Sequence, residues 1–216
     1  MKTYDFAYGR GRKEFSIDES LVIKEVRTEE FTPMSDIKQG VLDAIYNPIG
    51  CEPIDKIIKP GDTVAFICND PTRVANSYDF MPVLVNEFNK LGVKDENMHI
   101  VFSLGTHRDM THEEMVEAVG EEVSSRLKMY NSTATKDEDF EYFGTTSRGT
   151  PVWINKHLCH VDHVILTGTI VHHYFSGYGG GRKAILPGCA AMETVRVNHS
   201  FMLDKNAGLG RTVGNP

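Results

Sequence analysis

No run of apolar residues in this sequence is long enough to span a bilayer, so no segment is read as a membrane helix. The first residues, Met1-Lys-Thr-Tyr-Asp-Phe6, lack the apolar core of a secretory signal. Basic residues are outnumbered, 23 Lys and Arg against 30 Asp and Glu, for a formal charge of −7. No basic stripe is present to attract phosphates in bulk, which argues against a nucleic-acid surface. Cysteine is scarce: Cys51, Cys68, Cys159 and Cys189 lie far apart and form no CxxC pair. They read as reduced, mostly buried thiols, and a cytoplasmic location is expected. Internal repeats and low-complexity tracts are also missing. What is there is an ordinary globular composition, 40% hydrophobic and 25% charged, in a chain of 216 residues that can bury a substantial core. If an acidic chain of this kind binds an anionic small molecule, it must do so with a few aimed cations.

The apolar pattern alternates between two periods. Residues 2–26 read as short strands, with a Gly9–Gly11 turn between Tyr4–Tyr8 and Glu14–Ile17. Asp36 to Tyr46 reads as a helix ending before Asn47-Pro48. Thr63–Cys68 is a continuous apolar run between Gly61-Asp62 and Asn69-Asp70-Pro71, as expected of a parallel strand covered on both faces. Met81, Leu84, Val85 and Phe88 then mark a helix with one buried face, stopped by Gly92. His99–Ser103 is the next strand. Thr111 and Glu114 form a capping box that opens a helix with Met115, Val119 and Val123 on its core face. Val164–Leu166 is a later strand, followed by a glycine-rich loop. This alternation predicts an α/β fold, a mostly parallel, Rossmann-like sheet flanked by helices, with a small N-terminal β segment. We expect residues 1–216 to form one such domain. The ending Thr-Val-Gly-Asn-Pro216 caps no helix and completes no strand, so the chain is expected to be a piece of a longer protein.

Ligands of such sheets sit beyond the carboxyl ends of the strands. Asp70 and Arg73 follow the first inner strand, His107 the second, and His173 and Lys183 a later one. The richest stretch is His173-Tyr-Phe-Ser-Gly-Tyr-Gly-Gly-Gly-Arg-Lys183-Ala-Ile-Leu-Pro-Gly, followed by Val197-Asn-His199. Backbone at Gly179, Gly180 and Gly181 allows close approach of a flat or phosphorylated ligand. The segment is not a P-loop, because Arg182 separates Gly181 from Lys183 and Ala184 has no hydroxyl. A solvated turn with a surface lysine is the plainer reading. The apolar Ala184-Ile-Leu-Pro187 weighs against it by burying the segment beside the amine, which depresses a lysine pKa and favours nucleophilic use. Asp70-Pro-Thr-Arg73 is either a simple β-turn or a turn that holds an arginine fork as an anion clamp. His157-Leu-Cys-His160-Val-Asp-His163 has the spacing of a zinc site. It lies at the amino end of the following strand, opposite the expected ligand edge.

Taken together, Asp70-Pro-Thr-Arg73, Gly105-Thr-His107-Arg, the His173–Lys183 stretch and Asn198-His199-Ser resemble the nickel-pincer lactate racemase family over essentially the whole chain, as that family's N-terminal domain. The resemblance implies a pyridinium-3-thioamide-5-thiocarboxylic acid mononucleotide whose two sulfur arms grip nickel. It implies Lys183 as the covalent tether, His199 as the nickel ligand, His107 and His173 as the acid–base pair, and Arg73 as the clamp on a substrate carboxylate. Asp70 matches a residue lining the same site, and the glycines at 179–181 fall beside the cofactor. It further implies a lactate or related 2-hydroxy-acid substrate, racemised or epimerised by proton-coupled hydride transfer through a keto acid. Cofactor-synthesis enzymes and a C-terminal domain are the implied partners, and the chain alone is expected to turn over little. Two imidazoles suit the need for one proton carrier per enantiomer. Imidazole also suits nickel. Two other readings stand beside this one: a non-catalytic nucleotide-binding module, and a zinc hydrolase built on His157–His163, for which no carboxylate base stands at helical spacing.

Overall fold

Gly9, at φ 58°, takes the first central position of a two-residue turn, where a hairpin needs positive φ, and closes β1 (Lys2–Tyr8) onto β2 (Gly11–Ile17) as an antiparallel pair. This hairpin belongs to the first of two compact units, residues 1–35; the second comprises residues 36–216. The computed structural model describes residues 1–27, 29 and 32–216.

In the second unit, Asp36 accepts from the Gln39 backbone N–H and caps α1 (Ile37–Tyr46), which is followed by the single turn α2 (Ile54–Ile57). The apolar run then forms β3 (Val64–Asn69), and α3 (Ser77–Lys90) buries Met81, Leu84, Val85 and Phe88 as its spacing predicts. Gly92 ends that helix region at φ 92°, where an added Cβ would lie 2.8 Å from the Pro60 side chain. After β4 (Met98–Gly105), the Thr111–Glu114 capping box opens α4 (His112–Val119). The helix expected to carry Val123 as well is broken: Gly120 turns to φ 84°, and Val123 sits on the separate α5 (Glu121–Ser124). Positive φ ends α4 there, yet Val123 still reaches the same core.

Then come β5 (Lys128–Thr133), the hairpin of β6 (Phe140–Thr145) with β7 (Pro151–Asn155), and β8 (His163–Leu166). The two-residue ladder of β9 (His172–His173) with β10 (Gly177–Tyr178) follows. A 3₁₀ turn at Gly181–Ala184 leads to α6 (Met192–Ser200).

The central sheet has the order β5-β4-β3-β8 and is parallel throughout, so the fold is the expected α/β class. Its two faces are unequal. Val64, Phe66 and Cys68 point into a large core with Met81, Phe88, Ile100, Phe102 and Val119, where Phe66 and Phe88 meet edge to face with centroids 5.1 Å apart. Ala65, Ile67 and Val101 point the other way, against Leu158, Ala184 and Cys189. The thinner face seats the turn that carries Lys183. Of the cysteines, all free, Cys68 and Cys189 are buried, Cys159 is partly buried and Cys51 is exposed. Among the described residues no helix is long and apolar enough to cross a membrane.

Candidate active site

Each parallel strand releases its chain at the same edge of the sheet, and the loops leaving β3, β4 and β8 enclose a cleft of about 560 Å³. Asp70, Arg73, His107, His173, Gly179, Gly180, Lys183 and His199 all line it, while Gly181 does not.

The β3 loop is a β-turn, with the Arg73 N–H donating to the Asp70 carbonyl at 3.0 Å. Asp70 is 5% exposed, and both its carboxylate oxygens are occupied. Oδ1 accepts from the Thr72 N–H at 2.7 Å and the Thr72 hydroxyl at 2.5 Å, while Oδ2 lies 2.8 Å from His107 Nδ1. The turn therefore does two things: it aims the Arg73 fork into the cleft and holds the histidine of the neighbouring loop. Among the described residues no carboxylate pairs with Arg73.

The β4 loop is tied to the Lys183 segment through glycines. Gly105, at φ 56°, donates its N–H to the Gly188 carbonyl at 2.9 Å. A Cβ on Gly188 would lie 2.6 Å from the Ser103 Cβ, so no other residue allows this approach. The glycines of the 179–181 run have a similar packing reason. A Cβ on Gly180 would meet the Thr169 carbonyl at 2.9 Å, and one on Gly179 would meet the Val171 side chain at 3.3 Å. At those two positions the need for glycine comes from the chain's own segment 169–171.

The Lys183 Nζ lies 5.9 Å from the centroid of the Phe175 ring. That ring also meets His173 edge-on at 4.5 Å and His199 at 5.2 Å. Burial lowers the Lys183 pKa, and the Arg73 charge lowers it further. His173 is lowered as well, by burial first and then by the charges of Lys183, Arg73 and His199. These shifts favour a neutral, nucleophilic amine and a neutral imidazole. Burial also lowers His199, whose buried Nδ1 has no hydrogen-bond partner among the described residues. The Val195 backbone opposes that shift and raises the pKa in part, and an imidazole lone pair is what a metal would need from this ring. The Arg73 guanidinium in this lining suits a ligand with an anionic group.

Asn69, Ser103, Thr169 and Phe175 are neighbours of this site that composition and spacing do not single out. The first three line the cleft by following the same strand-end rule as the residues that were singled out. Phe175 lies within the glycine-rich motif, but its contacts to Lys183, His173 and His199 depend on the loop's fold. His172, paired in sequence with His173, turns away and packs its ring on Tyr178 at 4.9 Å.

His157, His160 and His163 are not brought together. His157 stacks on Tyr130 at 3.7 Å and its carbonyl lies 2.8 Å from His99 Nε2. His160 pairs with Glu141 and His163 with Asp62, each at 2.8 Å. Among the described residues no group of three His, Cys, Asp or Glu side chains is placed to hold a metal ion.

A parallel α/β sheet whose loops close a cleft at its carboxyl edge defines a Rossmann-like domain. Residues 8–210 match the lactate racemase N-terminal domain, and the chain belongs to that family. It is 30% identical over 180 residues to the lactate racemase of Lactiplantibacillus plantarum, covering 82% of this chain and 42% of that protein. With the lactate racemase of Thermoanaerobacterium thermosaccharolyticum it shares 28% over 208 residues, covering 95% and 49%. The structure of that organism's lactate racemase apoprotein superposes with a TM-score of 0.84, over all of this chain and 51% of the other. A Thermotoga maritima protein, 24% identical with a TM-score of 0.66 over 83% of this chain and 44% of the other, shares the fold. The chain thus spans about half the length of the relatives it matches.

Proposed function

We propose that this chain is the cofactor-carrying N-terminal domain of a racemase or epimerase acting on lactate or a related 2-hydroxy acid. The observation that carries the reading is the convergence in one cleft of an amine with a depressed pKa, a histidine whose buried Nδ1 has no hydrogen-bond partner, two further imidazoles and an unpaired arginine. A non-catalytic nucleotide-binding module needs no such set of titratable groups.

The residues fit a nickel-pincer nucleotide. Lys183, lowered toward its neutral form, would hold it covalently as a thioamide, and the free lone pair of His199 would ligate the metal. When bound, the group would supply a reversible hydride acceptor. The chain supplies the rest. Arg73 would bind the substrate carboxylate through two parallel hydrogen bonds and so keep the carbon in place while its configuration changes. His107, held by the Asp70 side chain, would take the hydroxyl proton at Nε2, and Asp70 would stabilise the imidazolium that results. His173 would face the oxygen of the opposite enantiomer. Full turnover would also need the remaining length found in the relatives, supplying a second wall that excludes water.

Co-expression with cofactor-synthesis enzymes, followed by peptide mapping and metal analysis, tests the reading. The added mass is expected on the peptide containing Lys183, with nickel in the same sample. A Lys183→Ala protein that still carried the adduct would overturn the assignment.

A further inference from the structure

We propose that the two cleft imidazoles are held in opposite tautomers, His107 presenting a lone pair at Nε2 and His173 presenting an N–H there. We further propose that the segment 208–215 fixes the second. The functional consequence rests on the acid–base reading above; the tautomers themselves do not.

The first half follows from Asp70. A carboxylate only accepts, so the His107 Nδ1 facing Oδ2 at 2.8 Å carries a proton. Its Nε2 is then left with the lone pair. His173 faces the opposite chemistry. Its Nδ1 receives the Phe175 N–H at 3.4 Å and the Ser176 N–H at 3.3 Å. A proton on that nitrogen would set N–H against N–H, so the ring proton sits on Nε2.

The donor peptide is held from outside the site. The Phe175 carbonyl, on the same peptide unit as the Ser176 N–H, accepts from the Gly208 N–H at 3.0 Å and from Asn215 Nδ2 at 2.8 Å. Hydrogen bonds at both ends of one peptide polarise each other, which strengthens the donor. The anchoring segment lies very close. A Cβ on Gly177 would come within 2.0 Å of the Arg211 carbonyl, and Gly210 donates to the Gly177 carbonyl at 3.0 Å. Asn215 is thus a positioning residue for His173 without touching the cleft. At rest the pair is one proton acceptor and one hydrogen-bond donor. His173 can take a proton at Nε2 only if its ring tautomer changes and peptide 175–176 turns away.

The test is ¹⁵N spectroscopy of the chain labelled at histidine, at about pH 8, above the ordinary imidazole pKa. His107→Gln and His173→Gln assign the resonances. The expected result is a protonated-type Nδ1 in His107 and a lone-pair-type Nδ1 in His173. Asn215→Ala should move His173 toward a mixture of tautomers and leave His107 unchanged, with Asn215→Asp as the variant that keeps the side chain's shape. Asp70→Asn should reverse His107, because the amide oxygen stays with Thr72 and the NH₂ group faces Nδ1. The same tautomer in both wild-type rings would overturn the proposal, and an unmoved His173 in both Asn215 variants would overturn the role of the segment. Opposite tautomers together with full turnover in a loaded His107→Gln enzyme would remove the proposed function and leave this inference standing.

Discussion

The two edges of the central sheet use the same side chain in opposite ways. At the amino edge, His99 lies against the His157 carbonyl, His160 against Glu141 and His163 against Asp62, each within 2.8 Å of its own partner. At the carboxyl edge, His107, His173 and His199 line one cavity together with Arg73 and Lys183. The histidines close together in sequence are dispersed, and those far apart converge. Topology decides this. A parallel sheet sends every loop after a strand to one edge, whatever its position in the chain, while neighbours before a strand go their separate ways. A histidine cluster in sequence is therefore weaker evidence for a site than a set of strand ends.

The sharpest way to break this contrast is to disable the carboxyl edge. In the cofactor-loaded protein with its full complement of sequence, His107→Ala and His173→Ala should each reduce turnover on the order of 10²–10⁴-fold, with the adduct retained. Asp70→Asn should fall in the same range, because it leaves the His107 ring in place with the wrong nitrogen protonated. Single-turnover conversion of each enantiomer, together with intact mass, checks this. Equal and minor losses in all three would make the carboxyl edge structural like the amino edge. His199→Ala should separate from them by keeping the adduct and losing nickel, read by metal analysis of the same sample.

Much of this edge was legible in the sequence. The strand-end rule sends Asp70, Arg73, His107, His173 and Lys183 to one edge from the apolar runs of β3, β4 and β8, and the structure lines one cleft with them; buried parallel strands are hard to mistake when turns bound them. Less visible were the elements whose signal is weak. Strand β5, Lys-Met-Tyr-Asn-Ser-Thr, has little apolar content, yet its Ser132 and Thr133 are buried at the sheet edge. The hairpin β6–β7 has exposed aromatic residues, Tyr142 and Phe143, that blur its alternation. Val123 fitted a helix period through Gly120, and only the backbone reveals the break. The Asp70–His107 bond and the reach of Asn215 to Phe175 join positions 37 and 40 residues apart. No local pattern reports such pairings.

The amino edge predicts a smaller, pH-dependent effect. Burial lowers the pKa of His99, and burial followed by the His99 charge lowers that of His157, both from an ordinary value of 6.5. The folded state thus disfavours protonation, and the unfolded chain binds more protons below about pH 6.5. Stability from these groups is complete above that pH and is lost as pH falls through the lowered folded values. His173 and His199 at the other edge contribute with the same sign. Urea midpoints should fall between about pH 7 and pH 5, before carboxylates titrate. His99→Gln, which keeps a donor for the His157 carbonyl, should flatten that fall. An unchanged slope would mean that the buried amino-edge rings do not couple to folding.

The smallest effect is expected where the sequence pattern looks most like a metal site. His160 is largely exposed, and its pair with Glu141 lies at a solvated surface. Such pairs contribute about 0–1 kcal/mol, because water screens the charges and two side chains must be ordered to meet. His160→Gln should therefore move the urea midpoint by no more than about 0.5 kcal/mol in stability terms and leave adduct and nickel content unchanged. Zinc should not raise the midpoint of the wild-type chain by way of this residue, since a ligand that bound only the folded form would stabilise it in proportion to the logarithm of its concentration. His160, His163 and His157 would have to leave Glu141, Asp62 and the Tyr130 ring to share one ion. A zinc-dependent rise that vanished in His160→Gln would show that they do, and the contrast between the two edges would fail.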